Sequence, residues 1–282
     1  MKNVKIKKTI RLTLTYTLLL AVMAVIIYPL LWTISASLNP GNNLFTMSLI
    51  PENPTLNHYR ALFANEGNLL YLTWYRNSLK VSLMTMILGV ICVSFTGYAF
   101  SRFRFKGRKN GLMLFMLLQM IPQISALIAI FVLAQMLGML NSHWMLILLY
   151  VGGLIPMNTY LMKGYMDSIP IDMDESARMD GAGHTRIFWS ILLPLARPMI
   201  AVVAMAGFTG PLGDFILASV ILRRVEYFTL PVGLHQLITD PMRASWTQFA
   251  AGALLISIPV AFVFLLLQKQ FVSGLTAGGS KG

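Results

Sequence analysis

The histidines of this chain are too scattered to build a metal-dependent active site. They stand at positions 58, 143, 184 and 235, far apart, and no H-E-x-x-H pair is present. No Gly-rich loop followed by Lys marks a phosphate site, which argues against ATP hydrolysis by this chain. The one cysteine, Cys92, lies in an apolar run and is interpreted as a small packed thiol. The sequence therefore predicts a protein that is not an enzyme and binds no metal or cofactor itself.

One polar segment in the second half carries the most organised pattern. Pro170 precedes three acidic residues, which favour the positive end of a helix dipole. Gly181 and Gly183 are predicted to end this helix, and Thr185 to cap a second short helix that stops at Pro194. This helix–turn–helix is expected to present five small or apolar side chains to a partner. They are Ala177, Met179, Ala182, Ile187 and Trp189.

The elements around this segment are membrane spans. Only 11% of the residues are charged and the mean hydropathy is +0.69, whereas soluble domains carry roughly 25% charged residues. A bilayer core needs about 20 apolar residues in a helix. The first apolar run is longer than a signal-peptide core, so it is predicted to be a retained span. The sequence predicts an all-α integral membrane protein with six spans, near residues 12–37, 81–101, 111–137, 144–161, 198–222 and 249–268.

The distribution of basic residues predicts the orientation. With both termini inside, 16 of the 22 lysines and arginines fall on the cytoplasmic side. This topology (N-in/C-in) accounts for the net charge of +12 without a nucleic acid partner, and leaves room for contacts to anionic lipid of the bilayer. It places residues 163–197, called the inner loop below, in the cytoplasm, and residues 39–76 and 223–247 outside.

The inner loop resembles the E-A-A-x₃-G-x₉-I-x-L-P loop of bacterial ABC importer permeases. Every spacing of that motif is reproduced, with a small-for-small change at the second position. The resemblance implies a type I ABC importer permease fold in which this loop docks a separate ATPase. The residues it assigns to ATPase coupling are Glu175, Ser176, Ala177, Gly181, Ile191 and Pro194.

From residue 192 onward the chain is similar to the MalG-type smaller membrane subunit of maltose and maltodextrin importers. Residues 229–234, 249–253 and 274–282 carry this resemblance. It implies alternating access in the bacterial cytoplasmic membrane, with a larger MalF-like permease subunit, an ATPase dimer that holds ATP and magnesium, and an extracytoplasmic sugar-binding protein. The expected substrate is maltose or maltodextrin, and another oligosaccharide such as a galacto-oligosaccharide is the alternative. The expected division is 1–72, a transmembrane core 73–270, and a C-terminal tail 271–282.

Polar side chains inside the predicted spans are candidates for the translocation path. Gln119, Gln123 and Asn158 are predicted to line a sugar route, and hydrogen bonding between helices is the alternative. Asp214 is the one carboxylate within a predicted span. It is assigned to the path as a gate or interface residue. Proton coupling, as in an ion-coupled secondary transporter, is the remote alternative.

Two further segments take their expected roles from the resemblance. Gln236, Asp240 and Pro241 lie in the loop that faces the sugar-binding protein, where a solvated connector is the alternative. Gly278 and Gly279 in the tail are expected to reach the ATPase interface, where a flexible terminus is the alternative.

Overall fold

The structure, a computed structural model, describes residues 2–42, 49–64, 69–240, 242 and 244–279, with side chains throughout except at 2–6, 123 and 272–279. No strand occurs in these ranges, so the prediction of an all-α protein is confirmed. The first six helices are α1 Lys2–Leu38, α2 Asn57–Phe63, α3 Tyr71–Arg102, α4 Arg108–Gln119, α5 Leu127–Met136 and α6 His143–Asp167. The others are α7 Asp172–Met179, α8 His184–Ile187, α9 Leu193–Leu195, α10 Arg197–Gly213, α11 Ile216–Ile221, α12 Leu230–Thr239 and α13 Trp246–Gly279.

Four helices are long and apolar enough to cross a membrane by themselves. They are α1, α3, α6 and α13. Two pairs of shorter helices would each add one span if a bent pair is counted as a single crossing. In the first pair α4 and α5 meet at a bend of 84°, and in the second pair residues 184–195 and α10 meet at a bend of 79°. The structure therefore holds four to six candidate spans. The predicted spans 12–37, 81–101, 144–161 and 249–268 lie within the four long helices. The predicted span 111–137 crosses the bend between α4 and α5, and the predicted span 198–222 runs past the end of α10 at Gly213 into α11.

The chain divides into two compact units. The first comprises residues 1–69 and 234–255, and the second residues 70–233 and 256–282. In the first unit Ala36 and Ala250 are buried together with Trp32 packed against them. The side chain of Tyr59 donates a hydrogen bond of 2.8 Å to Ser37 Oγ. Most side chains of α1 are apolar and exposed, which suits a helix that faces lipid or a partner subunit.

The second unit is built around α3, which packs against α6 and α10. Glycines allow these helices to approach closely, as is common between membrane helices. A Cβ at Gly97 would lie 2.4 Å from Met162 Cγ of α6, and one at Gly207 of α10 would lie 3.0 Å from Met86 Cα. These contacts hold α3, α6 and α10 together.

Helix α3 begins ten residues earlier than the predicted second span. Lys80 set the start of the predicted span, yet both Lys80 and Arg76 lie in the first three turns of the helix with exposed side chains. Charged residues near a helix end keep their heads in water while the helix continues past them. The prediction placed the start of this helix wrongly for that reason.

Candidate functional site

The first half of the inner loop forms the predicted helix and turn. Helix α7 is followed by Gly181 at φ +80°. Ala182 N donates to Ala177 O and Gly181 N donates to Arg178 O, each at 2.9 Å. This is the Schellman arrangement, in which a glycine takes the left-handed position after the last helical turn. The prediction that Gly181 ends the helix is confirmed.

The second half of the inner loop is a helix of mixed geometry. It begins at His184 with Gly183 at the N-cap and no side-chain cap, so the expected cap by Thr185 is wrong. A π-helical turn over Phe188–Leu192 leads into α9, which contains Pro194. Proline lacks an N–H donor and crowds the carbonyl four residues earlier, which favours irregular hydrogen bonding before it.

The coupling residues predicted from the motif differ in their exposure to solvent. Glu175, Ser176 and Gly181 are exposed, whereas Ala177, Ile191 and Pro194 are half-buried. Among the other side chains expected to face a partner, Met179 is 88% and Trp189 52% exposed. Ile187 is fully buried in the core of its own chain, so its expected exposure is wrong. The loop thus offers one face outward and uses the other to anchor itself.

A buried ion pair anchors the inner loop to α3. Arg102 Nε lies 2.8 Å from Asp174 Oδ2, with side chains 5% and 0% exposed. Arg102 also donates to Ile169 O and to Ser101 Oγ, each at 3.1 Å. Ser101 Oγ in turn donates to Asp167 Oδ1 at 2.6 Å. Within the described residues Asp174 Oδ1 has no partner, so the charge of this carboxylate is balanced by Arg102.

Aromatic contacts bind the second half of the inner loop to the same helix. The rings of Phe95 and Phe188 stack with centroids 4.9 Å apart, and Tyr98 lies 5.0 Å from Phe188. Tyr98 also donates to His184 O at 3.3 Å. Both halves of the inner loop are therefore fixed to the last turns of α3.

A cavity of about 600 Å³ lies among α3, α4, α5, α6, α10 and α11. Three of the four predicted path residues, Gln119, Asn158 and Asp214, line it together with Tyr150. Gln119 Nε2 donates to Gly153 O at 3.4 Å, and Asn158 Nδ2 donates to Leu154 O at 2.8 Å. The side chain of Gln123 lies outside the described residues. The sequence thus predicted residues that converge on one cavity.

Asp214 occupies a break between two helices. Its carboxylate accepts hydrogen bonds from Tyr150 Oη at 2.6 Å, Ala218 N at 3.0 Å and Leu217 N at 3.4 Å. A carboxylate that accepts from the first turn of α11 holds the chain where α10 has ended. The geometry therefore gives Asp214 a structural task, tying α6 to the break between α10 and α11.

A second set of contacts holds residues 222–230, called the clamped loop below. Trp74 Nε1 donates to Val225 O at 2.8 Å. Asn77 Nδ2 donates to Glu226 O and to Phe228 O, both at 3.0 Å. These donors lie in the first turns of α3, at the end opposite to Arg102. Sequence reasoning missed them because nothing local links residues about 150 positions apart.

The clamped loop is also held by Asn141, which lies outside α3, and by a further residue of α3. Asn141, at φ +60°, accepts through Oδ1 from Arg223 N at 2.7 Å and Arg224 N at 2.9 Å. Leu230 N donates to Ser78 Oγ of α3 at 2.7 Å. The pKa of Glu226, on the exposed side of this loop, is lowered by its own backbone N–H and by the neighbouring Arg224 guanidinium.

Within the described part of the chain, the structure does not bring the remaining predicted site residues together with the cavity or the inner loop. Gln236 lies exposed in α12, and Asp240 follows it, accepting from Met242 N at 2.9 Å. Pro241 lies outside the described residues. The backbone of α13 runs through Gly278 and Gly279. Their roles toward a binding protein and an ATPase stay predictions.

Known transport proteins are similar to this chain in sequence. A family model described as the inner membrane component of a binding-protein-dependent transport system matches residues 86–276. The chain is 67% identical over 280 residues to the galactooligosaccharides transport system permease protein GanQ of Bacillus subtilis (strain 168), covering 99% of each chain. It is 48% identical over 282 residues to the maltodextrin transport system permease protein MalD of Streptococcus pneumoniae (strain ATCC BAA-255 / R6), again covering 99% of each.

A solved structure has the same fold. The crystal structure of a bacterial ABC transporter involved in the import of the acidic polysaccharide alginate matches with a TM-score of 0.75. The match covers 92% of this chain and 95% of that chain at 24% sequence identity.

The helical membrane fold and the anchored inner loop define a transport subunit of the cytoplasmic membrane that crosses it several times. The chain belongs to the family of binding-protein-dependent transport system inner membrane components. It is a permease subunit of a sugar ABC importer, as the resemblance in the sequence predicted.

Proposed function

We propose that this permease imports galacto-oligosaccharides. The observation that carries the proposal is the identity of 67% over 280 residues to a galactooligosaccharide permease, compared with 48% over 282 and 268 residues to two maltodextrin permeases. Maltose or maltodextrin, the substrate expected from the sequence, is the second candidate. A cavity of about 600 Å³ suits either sugar, because small-molecule sites measure roughly 300–1,000 Å³.

The cavity supplies the chemistry that a sugar path needs. Carbohydrate hydroxyls both donate and accept hydrogen bonds, and the side-chain amides of Gln119 and Asn158 do the same. Both amides use an N–H toward a backbone carbonyl, which fixes their orientation. We assign them to sugar contact during passage and assign Asp214 to holding the wall, since its oxygens already accept three hydrogen bonds.

The inner loop is proposed to dock the ATPase. The exposed Glu175 is a charged hydrogen-bond acceptor, and the exposed Ser176 and Gly181 allow close backbone approach. The fixed opposite face supports this proposal, because a loop that receives force must be attached to the helices it moves. ATP binding on the partner closes the ATPase dimer, moves the loop, and opens the path to the outside; hydrolysis resets it.

The full assembly follows from these assignments. We propose six spans with both termini in the cytoplasm: α1, α3, the bent pair α4 and α5, α6, α10 continued by α11, and α13. The partners are a second permease subunit, two ATPase subunits and an extracytoplasmic sugar-binding protein. A bacterial alginate ABC transporter has been solved in complex with an oligosaccharide-bound periplasmic protein, and its fold is shared by this chain at a TM-score of 0.69.

Uptake of labelled sugars tests the substrate. A strain that lacks the gene for this chain is expected to lose uptake of galacto-oligosaccharides and to keep uptake of maltodextrins. A plasmid that carries the gene is expected to restore the uptake of galacto-oligosaccharides. Loss of maltodextrin uptake alone would transfer the assignment to the second candidate.

A matched pair of glycine variants tests docking. Gly181→Asp adds charge and bulk at the exposed turn of the inner loop, and is expected to abolish uptake while the subunit stays in the membrane. Gly107→Asp is the control, because Gly107 also has a positive φ, of 91°, and no neighbour within 4 Å of an added Cβ. Normal uptake with Gly181→Asp, or equal losses in both variants, contradicts the docking role.

A further inference from the structure

Helix α3 is fastened at both ends to segments that lie far apart along the chain. At Arg102 it holds the inner loop through the buried ion pair with Asp174. At Trp74 and Asn77 it holds the clamped loop through three bonds to backbone carbonyls. The two fastenings are separated by about 42 Å of helix, at 1.5 Å per residue.

The body of α3 is suited to act as a rigid connection. Residues 71–102 contain no proline, whereas α1, α6, α10 and α13 each contain one in their interior. Proline is the commonest cause of a sharp kink in a helix. The α3 helix also packs along its length on α6 and α10, which resists bending.

The two fastenings differ in a way that suits transmission. The Arg102 guanidinium reaches Asp174 of α7 and Ile169 O with separate nitrogens, so it holds the inner loop at two points. Asn77 likewise spreads one amide over two carbonyls of the clamped loop. A helix held by paired bonds at each end carries rotation as well as translation between the two loops.

We propose that α3 transmits the motion of the inner loop to the clamped loop, so that the outward face of the permease follows the state of the ATPase. This inference rests on the proposed docking role of the inner loop. Arg102 and Asn77 are positioning residues: they touch neither sugar nor ATP, and act by making two distant loops move together.

The test measures coupling in the assembled importer, with both permease subunits, the ATPase and the binding protein, in lipid nanodiscs. Asp174→Asn removes the charge that pairs with Arg102, and Asn77→Leu removes both donors at nearly constant volume. The readout is the ratio of ATPase activity with and without binding protein and sugar, using galacto-oligosaccharide or maltodextrin, whichever stimulates the wild type.

Each single variant is expected to lower the stimulation ratio by roughly five-fold or more, the usual lower range for coupling between sites. The double variant is expected to have a ratio no lower than that of the more impaired single variant, because both changes weaken one and the same connection between the two loops. Multiplicative losses in the double variant, or an unchanged ratio in either single, would overturn the proposal, since independent local damage adds.

Controls separate this result from misfolding and from failure of docking. Asp172→Asn makes the same charge change at an exposed position of α7 and is expected to keep the ratio. Where Asp174→Asn or Asn77→Leu fails to assemble, Arg102→Lys and Ser78→Ala replace them at the same fastenings. Gly181→Asp, prepared in the same way, tests docking separately. A normal stimulation ratio in the Gly181→Asp complex would contradict the proposed docking role, whereas multiplicative losses in the double variant would contradict only the role of α3.

Discussion

Replacing Gly97 with alanine is expected to destabilise the permease, although alanine is the better helix former. Gly97 lies in the interior of α3 where that helix crosses α6. An added Cβ would meet Met162 Cγ at 2.4 Å and Met162 Cβ at 2.9 Å, with Lys163 N at 3.5 Å. Distances below 3.0 Å require one of the two helices to shift.

The magnitude follows from two opposing terms. Alanine in place of glycine gains up to about 1 kcal/mol in a helix interior. Overpacking a well-packed core costs about 1–3 kcal/mol. Met162 is fully buried, and its Cβ is fixed by the backbone of α6, so a change of rotamer cannot move this atom away from the added methyl group. We expect a net destabilisation of up to about 2 kcal/mol.

Two other glycines provide matched controls. Gly164, on α6 next to the same crossing, has no atom within 4 Å of an added Cβ, so Gly164→Ala is expected to be neutral or stabilising. Gly89 of α3 faces only the terminal Cδ2 of Leu154 at 2.4 Å, which a rotamer change can relieve, so Gly89→Ala is expected to fall between the two.

The assay is the thermal unfolding of the purified importer complex, with all variants measured in the same lipid and at the same protein concentration. The melting temperature is expected to be highest for Gly164→Ala, intermediate for Gly89→Ala and lowest for Gly97→Ala. A Gly97→Ala complex that melts at or above Gly164→Ala would refute the argument that the close approach at Gly97 limits stability.

Three further changes have expected outcomes. Tyr150→Phe removes the 2.6 Å hydrogen bond to the Asp214 carboxylate and should lower stability by about 1.5–3 kcal/mol, the usual value for a charged acceptor. The same melting assay measures this loss, and an unchanged melting temperature would mean that the bond is not formed in the membrane. Asn141→Gly keeps the left-handed backbone but loses two acceptor contacts, and Asn141→Ala adds about 1–2 kcal/mol of backbone strain, so the alanine variant should be the less stable. Gly233→Ala would place a Cβ 2.1 Å from the rigid ring of Trp74 and should reduce the amount of assembled complex on native gels, a result that full assembly would contradict.

Local signals in the sequence were sufficient for the inner loop. The acids in the first turn of α7 and the glycine at position 181 act within a few residues, and the first helix and its turn appear where they were expected. The second helix also forms, but it begins at His184 without the expected cap by Thr185. The membership in the ABC importer permeases is likewise confirmed by the family match. Both conclusions depended on patterns that lie within one stretch of chain.

Contacts between distant segments were beyond sequence reasoning. Ile187 was expected to face a partner as one of the apolar side chains of the inner loop, yet it is fully buried in the core of its own chain. Arg102 was counted only as a basic residue of the cytoplasmic side, although it is buried against Asp174. Composition indicates on which side of the membrane a charge lies, whereas its partner depends on how the helices pack.

The attachment of the clamped loop has a consequence for how this permease can evolve. The donors from Trp74 and Asn77 end on main-chain carbonyls, which are the same for every amino acid. Substitutions at the exposed positions Glu226 and Tyr227 therefore leave the attachment intact. In the proposed topology this loop lies outside, so its exposed face can diversify while the membrane helix that holds it stays unchanged.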